Sequence, residues 1–206
     1  MRRNNFFIMN FAFLLIIQSV TFKTMAKAEE QKYKVVHSEK EFEIRFYPSV
    51  TLATVYSDAK SYRELSGNGF RMLAGYIFGG NESDTKISMT SPVHMDINNS
   101  KSAMSFVMPS SYNKENLPKP DNSNVKIEKT EDEYVAAIRF GGYASDDDIK
   151  KYSEKLGKLL SEKGITYYGN FRFLGYNPPY EFIGRRNEII VSVRWTGSSF
   201  SSSSPL

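Results

Sequence analysis

The sequence predicts an α+β domain of two similar halves, each a run of short strands interrupted by one main helix. Three observations carry this expectation. Apolar residues recur with helical period in only two stretches. The segments around them are short and rich in β-branched and aromatic residues. The order strand, strand, helix, strands then occurs twice along the chain.

In the first half, strand-like segments at 42–47 and 50–56 flank Pro48, and a helix is expected over 61–78, stopped by Gly79-Gly80. Its residues Phe70, Leu73, Ala74 and Ile77 fall at i, i+3, i+4 and i+7, one apolar stripe, with Met72 and Tyr76 beside it. Gly67, Gly69 and Gly75 each weaken a helix by up to about 1 kcal/mol relative to alanine. Something therefore approaches this backbone closely, either the protein's own sheet or a ligand. Short strands are expected at 87–90, 93–97 and 103–108, then a proline-bearing loop over 112–124.

In the second half, strands at 125–128 and 134–140 precede a helix from Ser145 to Lys163, ended by Gly164. Ile149, Tyr152, Leu156, Leu159 and Leu160 form its single apolar face. Ser145 with Asp148 three residues on reads as a capping box. Asp146, Asp147 and Asp148 sit where the helix dipole favours negative charge, which explains them better than a metal does. Strands at 171–176 and 188–195 close the fold, and a serine-rich tail, 196–206, follows.

The first residues read as a processing signal. Arg2 and Arg3 precede an apolar run over 6–17, and Ala26-Lys27-Ala28 is a small-x-small cleavage pattern. The run is shorter than the roughly 20 residues of a membrane-spanning helix. Cleavage after Ala28 predicts a periplasmic or secreted protein with no stable membrane span. The chain holds 27 basic and 23 acidic residues. The signal alone contains Arg2, Arg3, Lys23 and Lys27 and no acid, so the mature chain is neutral. That balance gives no support to a nucleic-acid partner. The absence of cysteine excludes thiol nucleophiles, iron–sulfur sites and thiolate haem ligation.

Motifs for catalysis are sparse. There is no Gly-x-Ser-x-Gly elbow and no His-Glu-x-x-His. His37 and His94 are the only histidines, and a hydrogen-bonded role suits each better than a general base or haem ligand. Arg185 and Arg186 could clamp a carboxylate. In extended chain, however, neighbours point to opposite faces, and pairing with Glu188 is the simpler expectation.

Taken together, these segments resemble the SOUL haem-binding family over 33–195. The resemblance rests on Phe42-Glu43-Ile44-Arg45-Phe46-Tyr47-Pro48, Ala74-Gly75-Tyr76-Ile77-Phe78-Gly79-Gly80-Asn81, Lys86-Ile87-Ser88-Met89-Thr90-Ser91-Pro92-Val93, Phe106-Val107-Met108-Pro109, Tyr176-Asn177-Pro178-Pro179 and Gly184-Arg185-Arg186-Asn187-Glu188. It implies a distorted, largely antiparallel β-barrel of two similar halves flanked by two main α-helices. It also implies haem or another tetrapyrrole as ligand beside the first helix. Carried over by position, the apolar wall is Phe70, Leu73, Ala74 and Ile77. Gly75 and Glu181 stand where family members carry lysines, leaving Arg71 as the nearest cation on the helix. The leading expectation is a non-enzymatic tetrapyrrole carrier that holds haem without a protein axial ligand, at Phe70, Arg71, Leu73, Ala74 and Ile77. A binding module for another apolar ligand, or a hydrolase on a related barrel, are the alternatives.

Overall fold

A computed structural model describes residues 28–98 and 100–197. The expected signal segment, apart from Ala28, and nearly all of the serine-rich tail lie outside the described residues. Within them, eleven strands are β1 (Glu29–Glu30), β2 (Lys34–Ser38), β3 (Glu43–Tyr47), β4 (Thr51–Ser57), β5 (Thr90–Ser91), β6 (Val93–Asp96), β7 (Ser102–Val107), β8 (Val125–Lys129), β9 (Glu133–Phe140), β10 (Tyr167–Gly175) and β11 (Asn187–Val193). Two helices, α1 (Tyr62–Ile77) and α2 (Asp146–Glu162), interrupt them.

Both helices begin as the sequence predicts. The Ser61 side chain accepts from the Glu64 amide at 3.2 Å, and Ser145 and Asp148 make the reciprocal bonds of a capping box. At the other end of α1, Gly79 adopts φ +117°, a conformation that side chains rarely allow. A Cβ on Gly80 would stand 2.8 Å from the Gly75 carbonyl oxygen, so only glycine lets the chain fold back there.

Nine strands form one sheet in the order β2-β3-β9-β11-β10-β6-β7-β4-β8, antiparallel at every ladder. It is a cup-like, distorted barrel that stays open, with β2 and β8 as its edges. Reading outward from the centre, β6, β7, β4 and β8 on one side are matched by β10, β11, β9 and β3 on the other. The first half contributes β3, β4, α1, β6 and β7; the second contributes β8, β9, α2, β10 and β11. Each half therefore lends its first strand to the other half's edge, an exchange that ties the two into one domain. The short β1 pairs in parallel with β5 outside this sheet.

Both helices cover the same face. α1 packs against β4 and β7, and α2 against β9, β10 and β11. Leu65, Leu73, Tyr76 and Ile77 from α1 and Leu156 and Leu160 from α2 join Ile44, Val55, Met104, Ile138 and Ile189 in one buried core. A smaller cluster, Tyr47, Val135, Ala137, Leu174 and Ile190, occupies the opposite face. The N-terminal stretch partly covers that face through Tyr33.

Candidate functional site

The predicted stripe on α1 is divided by its surroundings. Leu73 and Ile77 are 0 % and 1 % exposed, inside the core, so they carry the helix on the sheet and cannot touch an external ligand. Phe70 is exposed and rests edge-on against Phe106, with ring centres 5.3 Å apart. Ala74 is half-buried and Arg71 exposed. The stripe is thus core at its centre and surface at its margin, because 3.6-residue periodicity marks the buried face first.

The three glycines separate in the same way. A Cβ on Gly69 would meet the Met104 side chain at 3.2 Å, so this glycine serves close approach to the sheet. Cβ atoms on Gly67 and Gly75 would meet nothing within 4 Å. Gly67, Arg71 and Gly75 are spaced one turn apart, all exposed, and form a bare outer face with one cation in the middle. Among the described residues, the Arg71 side chain has no hydrogen bond or ion pair.

Beside this face opens a cleft of about 320 Å³, lined by Arg71, Met72, Gly75 and Tyr76 from α1 and by Gly80, Asp121 and Asn122 from the turns opposite. Its far wall is fixed. The Tyr76 hydroxyl donates to the Pro118 carbonyl at 2.9 Å, and the Asp121 amide donates to the Gly80 carbonyl at 3.2 Å. Asn81, itself buried, donates to the Tyr76 and Thr85 carbonyls at 3.0 and 2.8 Å. Burial pushes the Tyr76 phenol up to about 12, so it remains a neutral donor. Of the five residues expected from the sequence, only Arg71 lines the cleft. Met72, Tyr76, Asp121 and Asn122 are not among those five, since Asp121 and Asn122 reach the site only through the tertiary fold.

Neither histidine reaches this surface. His94 lies on β6 next to Met95, whose side chain is in the helix-side core, so the imidazole faces the other side of the sheet. There its Nε2 bonds Gln31 Oε1 at 2.7 Å, and burial, then the charge of Arg172, lowers its pKa to about 3. His37 lies on the edge strand β2, its Nε2 3.0 Å from Glu39 Oε1 and its ring against Trp195.

The densest polar constellation is also on the far face. Glu188, wholly buried, accepts from Arg45 Nη1 and Nη2 at 2.6 and 3.2 Å, from Arg186 Nε at 3.0 Å and from the Tyr176 hydroxyl at 2.9 Å. Arg186 also donates to Glu30 at 2.6 Å and to the Tyr33 hydroxyl at 3.1 Å. Burial alone would raise Glu188, yet the two guanidiniums hold it below the ordinary carboxylate value. The expected Arg186–Glu188 pairing is present, and the cluster, filled by its own charges, staples the N-terminal stretch to the sheet.

This topology is shared with known proteins. A profile described as SOUL heme-binding protein matches residues 28–192. The chain belongs to the SOUL haem-binding family. Among SOUL relatives, heme-binding protein 1 of Xenopus laevis is 30% identical over 156 residues, covering 72% of this chain and 81% of that protein. Heme-binding protein 2 of Mus musculus is 28% identical over 156 residues, covering 72% and 76%. The SOUL fold also resembles the C-terminal domain of EcmrR, with TM-score 0.59, 9% identity and coverage of 75% of this chain and 97% of that one. A hydrolase from Listeria innocua gives TM-score 0.55 at 10% identity, covering 76% and 93%. At such identities these two likenesses concern the fold alone.

Proposed function

We propose that this SOUL protein is an exported, non-enzymatic carrier that takes haem or a related tetrapyrrole against the outer face of α1. The observation that carries the reading is the bare Gly67–Arg71–Gly75 face opening into the adjoining cleft. A flat ligand needs a surface without side chains, and its acidic substituents need a cation whose charge is not already spent. At about 320 Å³ the cleft lies at the low end of small-molecule sites. A macrocycle would enter by one edge and lie over the glycines.

The residues present fit haem held by apolar contact and charge. Met72, Ala74, Gly75 and the rim residue Phe70 would contact the ring, and Arg71 would meet a carboxylate. No imidazole of this chain faces the site. When bound, haem would supply a redox-active iron; the chain's part is to hold the ring and shield one face. Export is supported by the n-, h- and c-type pattern of 1–28 and by a family match that begins at residue 28. The neutral mature chain supports a partner other than nucleic acid.

Asp121 on the opposite wall favours a second reading, an uncharged apolar ligand for which a bipolar cleft is no obstacle. One experiment tests the first. Gly75→Leu fills open space and improves helix propensity, so the fold stays intact. The mature variant should bind haem and metal-free protoporphyrin at least tenfold more weakly than wild type in absorbance and fluorescence titrations. Unchanged affinity in a folded variant would remove the site from α1.

A further inference from the structure

The two most exposed large apolar side chains of the described residues, Phe182 and Ile183, are neighbours at one loop tip. Between β10 and β11, Tyr180, Phe182 and Ile183 are 63 %, 77 % and 93 % exposed. Tyr143, on the turn before α2, is also exposed and donates through its hydroxyl to the Pro179 carbonyl at 3.1 Å. The loop is braced from beneath. Arg185 Nη1 donates to the carbonyls of Pro178 and Glu181, both at 2.8 Å, and its guanidinium lies over the Tyr143 ring at 4.3 Å. No carboxylate forms an ion pair with Arg185 among the described residues, and its Nε is buried without a hydrogen-bond partner. Glu181, the one acid in the tip, is bonded to Asn177 Nδ2 at 2.6 Å.

We propose that this tip is a membrane-interface anchor that inserts Phe182 and Ile183 into a zwitterionic bilayer surface. The side chains are of the kinds that an interface selects. Phe182 and Ile183 are the most exposed, two tyrosines with polar ends accompany them, and a cation answered by backbone carbonyls and the Tyr143 ring braces the loop. Glu181 and Arg185 together carry no net charge, which suits phosphatidylcholine better than an anionic surface. A protein partner fits less well. These four side chains offer on the order of 500 Å² of apolar area, against about 800 Å² contributed by each partner in a stable protein interface. Membrane contact of this kind is peripheral and differs from a span; no described helix is long and apolar enough to cross a membrane.

The test uses the mature chain and tetrapyrrole-free vesicles, so its outcome does not depend on the ligand. Wild type should co-float with phosphatidylcholine vesicles, and Phe182→Ser/Ile183→Ser should lose at least tenfold in vesicle affinity while keeping its thermal midpoint. Phe182→Trp should show blue-shifted emission on vesicles, whereas the wild-type signal from Trp195, the chain's single tryptophan, should not shift. No flotation of wild type overturns the proposal. So does binding that appears only with anionic lipid and disappears in salt, or a tip that instead drives concentration-dependent self-association reversed by the double variant.

Discussion

Arg45 and Glu188, far apart in sequence, meet as a bidentate ion pair at 2.6 and 3.2 Å where the carboxylate has no exposure to solvent. Arg45 comes from β3, the strand that the first half lends to the second, and Glu188 from β11, two strands away across β9. The pair therefore fastens the strand exchange on which the whole sheet depends.

Removing one member of a buried pair leaves the other charge without compensation, which typically costs about 3–5 kcal/mol. Glu188→Gln should lower the thermal midpoint by roughly 10 °C, at about 2–4 °C per kcal/mol for a domain of this size. The pH response follows from the direction of the shift. Glu188 is held below its ordinary value of 4.5, so its stabilisation is complete above that value. It is lost as pH falls toward the lowered native pKa, because the unfolded chain takes up the proton first. Urea midpoints between pH 7 and 3 should show this decline in wild type and a shallower one in Glu188→Gln.

His94 makes a separate prediction in a higher pH window. Its native pKa is near 3 against an ordinary 6.5, so the unfolded chain binds a proton throughout that interval and the native one does not. Stability should therefore fall as pH drops from 6.5, before Glu188 begins to contribute. His94→Gln should flatten the urea midpoint between pH 6.5 and 4.5. Because the ring faces away from α1, the same variant should leave the haem difference spectrum unchanged.

Local pattern is sufficient for the elements whose signals are local. Ser145 and Asp148 announce α2, and Leu156 and Leu160 mark the face it buries. The residues of 87–90 predict a strand, but only Thr90 and Ser91 pair, with β1. The β1 and β2 pairings have no counterpart in the sequence pattern, since Glu29, Glu30 and Lys34 carry no alternating apolar signal and their partners lie along other segments. The site is half legible for the same reason. Periodicity finds apolar residues but does not say whether a sheet or a ligand covers them. The open space at Gly67 and Gly75 becomes visible only once Gly69 is seen against Met104.

That division yields a contrast between two substitutions on one helix. Ile77→Asp places a carboxylate in the sealed core and should abolish cooperative folding, so lost binding would say nothing of the ligand. Phe70→Ala removes an exposed ring and one aromatic contact, at about 1 kcal/mol of stability. If Phe70 forms the rim of the site, this variant should fold normally and bind protoporphyrin several-fold more weakly. Circular dichroism melts alongside titrations separate the two effects.

Charge reversal at Arg71 distinguishes the two candidate ligand classes. The guanidinium is exposed and without an ion pair among the described residues, so Arg71→Glu should leave stability within about 0.5 kcal/mol. A carboxylated tetrapyrrole would then face the introduced carboxylate in addition to Asp121, and binding at low ionic strength should fall at least tenfold. Esterifying the porphyrin carboxylates removes the charge being recognised, so the diester should bind wild type and variant alike. The difference for the free acid should shrink as salt is raised, because exposed charges are screened over about 8 Å at physiological ionic strength. An uncharged ligand predicts no difference in any arm, which would return the cleft to the second reading.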